Sequence, residues 1–310
     1  MTRDPLVCDH PLAERRFAYA RAAAGEGDFC AAAEVLEQAL ELAPEWAAAW
    51  FALGEARARL GDIEGAGEAF GAALRSDPAD AQGAAARLAL IGRGDPPASL
   101  PAAYVARLFD QYAPRFEAHL TGTLGYCAPA LIAEAMSAAA PGRRFASALD
   151  IGCGDGLMGE ALRDRVDHLT GVDLSPAMIA KARERGGYDA LVVGDAMALL
   201  RRQPLATFDL VVAADSLVYI GDLAPLFAAV ATALTTDALI AFSVESCGGE
   251  GFNLSASMRF AHSRAYVEAT ARESGLSMLL IGSASIRREA GRDAPGLICV
   301  FERTEREVRG

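Results

Sequence analysis

Ala146-Ser-Ala-Leu-Asp-Ile-Gly-Cys-Gly-Asp-Gly-Leu157, running on to His168-Leu-Thr-Gly-Val-Asp173, is the stretch around which the chain is organised. The apolar run Ala146 to Ile151 predicts a short buried strand. Gly152, Gly154 and Gly156 follow, then a helical segment from Leu157 to Arg165 and a second strand, Leu169 to Val172, ending at Asp173. Strand, glycine turn, helix, strand and acid make the opening βαβ unit of a nucleotide-binding α/β sheet. Glycines let the backbone turn sharply and let a ligand approach without meeting a Cβ. Asp173, 21 residues after Gly152, stands where a carboxylate can accept from both hydroxyls of a ribose.

The spacing decides which nucleotide. A dinucleotide fingerprint needs a small residue where Leu157 stands. The observed Gly-x-Gly-x-Gly, preceded by Leu149-Asp150, instead resembles the first motif of the class I S-adenosylmethionine-dependent methyltransferases. Leu191-Val-Val-Gly-Asp-Ala196 is similar to that family's third strand, and Phe208-Asp-Leu-Val-Val-Ala-Ala-Asp215 to its fourth. The resemblance implies a Rossmann-like α/β domain with a mostly parallel, seven-stranded sheet over residues 144–303. In it the last strand would run antiparallel between its neighbours. It further implies S-adenosylmethionine as cofactor. Asp150 and the Gly152, Cys153 and Gly154 backbone would hold the methionine end, Asp173 the ribose, and Leu174 the adenine face. Asp195 and Ala196 would meet the adenine edge, and Asp215 would stand beside the methionine moiety. Cys153 is expected to act through its amide rather than as a reactive thiol.

Residues 11–95 are alanine-rich, helical and repetitive. Trp50, Leu53, Gly54, Gly61, Ala66, Phe70, Ala73 and Pro78 fit the tetratricopeptide pattern, with Arg57 where an aromatic is usual. Gly27, Ala32, Leu36, Ala39 and Pro44 recur 34 residues earlier, the repeat length of that family. Ala81 to Ile91 reads as a third, capping helix, and residues 1–10 as a loose tail. Such repeats present a concave surface to peptides or proteins. Here they equally suit self-association or packing on the rest of the chain.

Gly92 to Pro101, rich in proline and glycine, reads as the hinge, and residues 96–143 as linker and lid helices. Val105, Leu108, Phe109, Tyr112 and Phe116 form a one-faced helical stripe. Such helices pad a sheet edge. In the methyltransferases they resemble, they also close over the cofactor, which nominates Tyr112, His119 and Tyr126. Through Phe109-Asp-Gln-Tyr-Ala-Pro-Arg-Phe-Glu-Ala-His-Leu120, the repeats and the glycine motif, the whole chain resembles the bacterial tetratricopeptide-containing predicted methyltransferases.

A base assists if the acceptor is a hydroxyl or a carbon acid. His262, following Arg259-Phe-Ala after a glycine-rich loop, and His119 are the candidates. His262 stands just before a helix, where it equally serves as a cap. Glu245 and Arg259 are secondary pocket residues or a surface ion pair. Asp215-Ser-Leu-Val lacks an Asn-Pro-Pro-Tyr type signature, which disfavours methylation of nucleobase or glutamine nitrogens. The expected activity is methyl transfer to oxygen or carbon of a small molecule or carrier-bound intermediate. Protein methylation guided by the repeats, and a non-catalytic scaffold, are the alternatives.

The net charge of −12 over 310 residues argues against a nucleic acid partner. Lys181 is the single lysine. The six cysteines form no Cys-x-x-Cys pair, so no metal site or disulfide framework is expected. No apolar run spans a bilayer, and Met1-Thr-Arg-Asp-Pro5 lacks a signal-peptide core, so a cytoplasmic location is expected. The last residues, 304–310, read as a second tail.

Overall fold

A computed structural model of the chain describes residues 6–119, 126–289 and 292–304. They fold as two compact units, Met1–Tyr104 and Val105–Gly310.

The first unit is all helical: α1 (Pro11–Gly25), α2 (Phe29–Leu42), α3 (Ala47–Leu60), α4 (Ile63–Ser76) and α5 (Ala84–Leu90). Its repeat is visible in the caps. Asp28 accepts from the Ala31 amide at 3.0 Å and Asp62 from Gly65 at 2.9 Å, each directly after a glycine of positive φ. Those side chains satisfy first-turn donors that have no helical partner. A Cβ on Gly54 would lie 2.6 Å from the Phe70 ring, so glycine is what lets α3 and α4 close. Arg57 does not leave its aromatic slot idle. It pairs with Glu37 of α2 at 2.7 Å and donates to the Gly65 carbonyl.

Two expectations need correction in this unit. Residues 6–10 are tied to the helices at three points: Cys8 is buried, the Leu6 carbonyl accepts from the Trp46 indole at 3.0 Å, and His10 caps α1. The capping helix is also shorter than 81–91. Asp80 and Gly83 take positive φ, and the Asp80 carboxylate receives the Ala84 and Ala85 amides, starting α5 at Ala84. The Pro/Gly stretch 92–101 falls inside this unit, which ends at Tyr104.

The second unit takes in the residues of α6 (Ala102–His119) from Val105 onward, and α7 (Ala128–Ala139). Strands and helices then alternate: β1 (Phe145–Ile151), α8 (Leu157–Leu162), β2 (Val166–Asp173), α9 (Pro176–Arg185), β3 (Ala190–Val193), α10 (Ala196–Arg202) and β4 (Phe208–Ala213). After a 3-10 turn, Leu217–Tyr219, come α11 (Ala224–Ala233), β5 (Leu234–Ser246), β6 (Phe252–Leu254), β7 (Phe260–His262), α12 (Arg264–Glu273), β8 (Leu276–Glu289) and β9 (Arg292–Arg303). The sheet order is β3-β2-β1-β4-β5, continued at the end of β5 by β7 and β6. β9 runs antiparallel between β5 and β8, as expected.

The seven expected strands are present, and the described residues add a short pair to them. The extra pair, β6 and β7, comes from the glycine-rich loop after β5 and pairs with Glu245 and Ser246. Its strands have three residues each, too short to show alternation. Both faces of the sheet are buried: Leu210 and Val212 enter one core, Val211 and Ala213 the other. This is why β4 reads as a continuous apolar run.

Candidate active site

The parallel strands bring their carboxyl ends, and the loops after them, to one edge of the sheet, where open α/β folds bind ligands. The glycine turn after β1 stands there, and its three glycines have different duties. A Cβ on Gly152 would sit 2.5 Å from the Ser216 side chain, whose hydroxyl donates to the Ile151 carbonyl at 2.7 Å. Gly156 faces α9 and the Tyr188 ring. Only Gly154, at φ +54°, looks onto open space, with nothing within 4 Å of a would-be Cβ. The ligand approach expected of the whole turn belongs to this residue.

Asp173 ties that turn to β2. One carboxylate oxygen accepts the Gly154 amide at 3.0 Å, and the other accepts Ser175 at 2.8 Å. Burial pushes its carboxyl up, and the two amides pull against that shift. A carboxylate offers about four lone-pair sites, so acceptor capacity remains for a ribose. Leu174 follows it, half-buried, at the turn into α9. Ser175 caps α9 through the Met178 amide and donates to Asp110 of α6 at 2.5 Å. Asp110 was not foreseen. A surface acid on an amphipathic helix carries no sign of the amide it will meet.

Asp150 and Cys153 are placed differently from expectation. Asp150 is fully buried beneath the loop. One of its oxygens accepts the Tyr188 hydroxyl at 2.6 Å, and the other has no hydrogen-bond partner. Burial raises its carboxyl to about 7. Tyr188 in turn accepts from the Gly159 amide, and its ring fills the space that a Cβ on Gly159 or Gly171 would take. The carboxylate is therefore sealed from solvent and tied to Tyr188. The Cys153 amide donates to the Val172 carbonyl, as does Gly152, so it is consumed by the fold. Burial holds the Cys153 thiol protonated, far above its usual range.

Asp195 is exposed and caps α10 through the Ala198 amide at 2.8 Å, and the half-buried Ala196 opens that helix. Both stand at the end of β3. Asp215, after β4, takes a left-handed backbone (φ +52°), a conformation uncommon outside glycine. Its amide donates to Ser243, and its carboxylate pairs with Arg287 of β8 at 2.8 Å. Arg287 also holds Glu245 of β5, and Arg259 reaches Glu245 at 3.4 Å. Tyr112 on α6 is half-buried near Arg259; burial raises its phenol and the guanidinium opposes that. The Tyr126 hydroxyl donates to the Ala214 carbonyl at 3.4 Å. The His119 side chain lies outside the described residues.

His262 is neither a facing base nor a helix cap. It is fully buried in β7, its Nε2 bonded to the carbonyls of Ile220 and Gly221 at 2.9 and 3.0 Å, and its ring stacks on Tyr266. Burial lowers its pKa, so it stays neutral and pins the loop after β4. The cap of α12 is Ser263. Among the described residues, no group of three or more His, Cys, Asp or Glu could hold a metal ion.

A Rossmann-like sheet with a glycine turn and acids at the strand ends defines a class of nucleotide-binding α/β domain. Comparison with known proteins narrows it. Residues 148–237 match the methyltransferase domain family, and residues 23–90 match the tetratricopeptide repeat family. The chain carries a class I methyltransferase domain preceded by tetratricopeptide repeats. A malonyl-[acyl-carrier protein] O-methyltransferase of Enterobacter lignolyticus is 43% identical over 81 residues. That match covers 26% of this chain, which spans only 31% of that relative's length. A putative methyltransferase complexed with the Haloferax volcanii Trm112 activator superposes with a TM-score of 0.51 at 18% identity, over 66% of this chain and 99% of the other. The [4+2]-cyclase SpnF gives 0.54 at 16% identity, over 64% and 95%. At these identities the structures speak to fold alone.

Proposed function

We propose that this protein transfers a methyl group from S-adenosylmethionine, leaving S-adenosylhomocysteine, to an oxygen or carbon acceptor on a small molecule or carrier-bound intermediate. The carrying observation is Gly154: a left-handed glycine open on its Cβ side, its amide held by the carboxylate of Asp173. That combination fits a nucleoside with a ribose to grip and a chain that must pass close to backbone. Asp173 takes the ribose, Leu174 the adenine face, Asp195 and the Ala196 amide the adenine edge. Gly154 and Asp215 border the methionine end.

A bound sulfonium supplies an activated methyl, because its departure as a thioether removes a positive charge. The chain's own contribution is orientation, the main source of rate when two reactants must meet in line. A carrier-bound acceptor is favoured over a free one by the O-methyltransferase relative. The acidic chain disfavours nucleic acid. All six cysteines are unpaired, which suits a reducing, cytoplasmic setting. The repeats serve as a docking face for a protein partner or a second copy. Calorimetry with S-adenosylhomocysteine tests the reading. One site per chain is expected, weakened roughly 10- to 100-fold by Asp173→Ala, the worth of hydrogen bonds to a charged group. Absence of binding would favour a scaffold that only presents its repeats.

A further inference from the structure

The glycine turn is held from β2 by Asp173, which takes the Gly154 amide. A second set of contacts holds it from Arg185-Gly-Gly-Tyr188, the last residue of α9 and the three that follow. Arg185 grips the middle of the turn. Its Nε donates to the Asp155 carbonyl at 2.9 Å, and a terminal nitrogen donates to the Asp155 carboxylate at 2.8 Å. The Asp155 side chain is only 5% exposed, so solvent screens this pair weakly. The other terminal nitrogen reaches Glu160 of α8 at 3.3 Å.

Tyr188 grips both ends of the turn through a single oxygen. It donates to Asp150, before the glycines, at 2.6 Å, and accepts from the Gly159 amide, after them, at 2.9 Å. Gly187 lets the segment lie this close to α8. It takes φ +95°, and a Cβ on it would stand 3.3 Å from the Gly159 carbonyl carbon. Arg163, just past α8, closes the arrangement by donating to the Gly187 carbonyl at 3.1 Å. Gly154, open on its Cβ side, thus lies between an anchor at Asp150 and one at Asp155.

Building on the donor reading above, we propose that Arg185 and Tyr188 are positioning residues for the methyl donor. They keep the glycine turn in its binding shape before the donor arrives. A loop fixed at its middle and at both ends has little freedom left to lose when a ligand docks against it. A donor that fits only that shape loses affinity in proportion to the chains that lack it. The two residues act through the turn and need not touch the donor.

The test titrates S-adenosylhomocysteine into the native chain, Arg185→Met, Arg185→Lys and Tyr188→Phe, and follows amide hydrogen exchange in the same proteins without ligand. Arg185→Met should weaken binding about tenfold or more, the worth of a hydrogen-bonded ion pair, and Tyr188→Phe about three- to tenfold. Arg185→Lys should recover part of the loss, keeping the charge without the forked contact. Exchange over residues 153–160 should speed up in Arg185→Met while β4 exchanges as in the native chain. Tyr188→Phe keeps its ring between Gly159 and Gly171, so it reads the turn even where Arg185→Met fails to fold. Arg264→Met, removing an exposed pair with Glu268, is the control and should bind as the native chain does. Native-like affinity in Arg185→Met and Tyr188→Phe, with melting temperature alone lowered, would make these contacts structural only and overturn the proposal. So would unchanged exchange over the turn. No binding to the native chain removes the donor reading instead, and the exchange comparison then still reads whether Arg185 holds the turn.

Discussion

A carboxyl group sealed beneath a glycine turn resists ionisation, because the charged form has lost its water. Asp150 is in that position, and burial holds its carboxyl near 7. An unfolded aspartate gives up its proton near 4, so from there to about 7 the folded state binds the extra proton. Stability contributed by this residue therefore falls as pH rises through that window and is flat above it. Asp150→Asn should abolish the slope, a difference on the order of 4 kcal/mol between pH 4 and 8. Chemical denaturation of both proteins across that range checks it. A slope of equal size in Asp150→Asn would contradict the burial argument. His262 works in the opposite sense: its lowered pKa means folding loses stability below pH 6.5, where the unfolded imidazole takes a proton.

At the level of elements, α6 is fastened to the start of α9 by Asp110, which accepts from Ser175 and Ala177. Asp110→Ala should cost about 1 kcal/mol, as for a lost cap, and raise hydrogen exchange in α6 selectively; unchanged exchange there would deny the tether. Gly54→Ala should cost about 1–3 kcal/mol in the helical unit, since its Cβ would press on Phe70, measurable as a lower melting temperature. Much of this architecture was legible in advance. Ser175 before Pro176 announces a helix start, the apolar run of β4 announces a strand buried on both faces, and the glycine spacing announces the turn. The contents of the turn were not. Nothing in Gly-Cys-Gly-Asp-Gly says that Gly152 makes room for Ser216, Gly156 for α9 and Tyr188, and Gly154 alone for open space, because those neighbours are distant in sequence. The same holds for β6 and β7, which exist only through pairing with the end of β5, and which turned His262 from a candidate base into a buried pin.

At the scale of the molecule, two units with separate cores share one chain, and every residue assigned to the donor follows Val105. A chain beginning at Ala102 should therefore bind S-adenosylhomocysteine within about threefold of the full-length affinity. A loss of a hundredfold would show that the repeats complete the donor site. The central claim is that open space before Gly154 receives a methyl donor. The most direct measurement is calorimetric titration of S-adenosylmethionine into the native protein and into Gly154→Asn. Asparagine tolerates left-handed backbone, so it fills the space while keeping the turn. The account predicts one site per native chain and no measurable binding to Gly154→Asn at unchanged melting temperature. Equal affinity in the two proteins, or none in either, would contradict it.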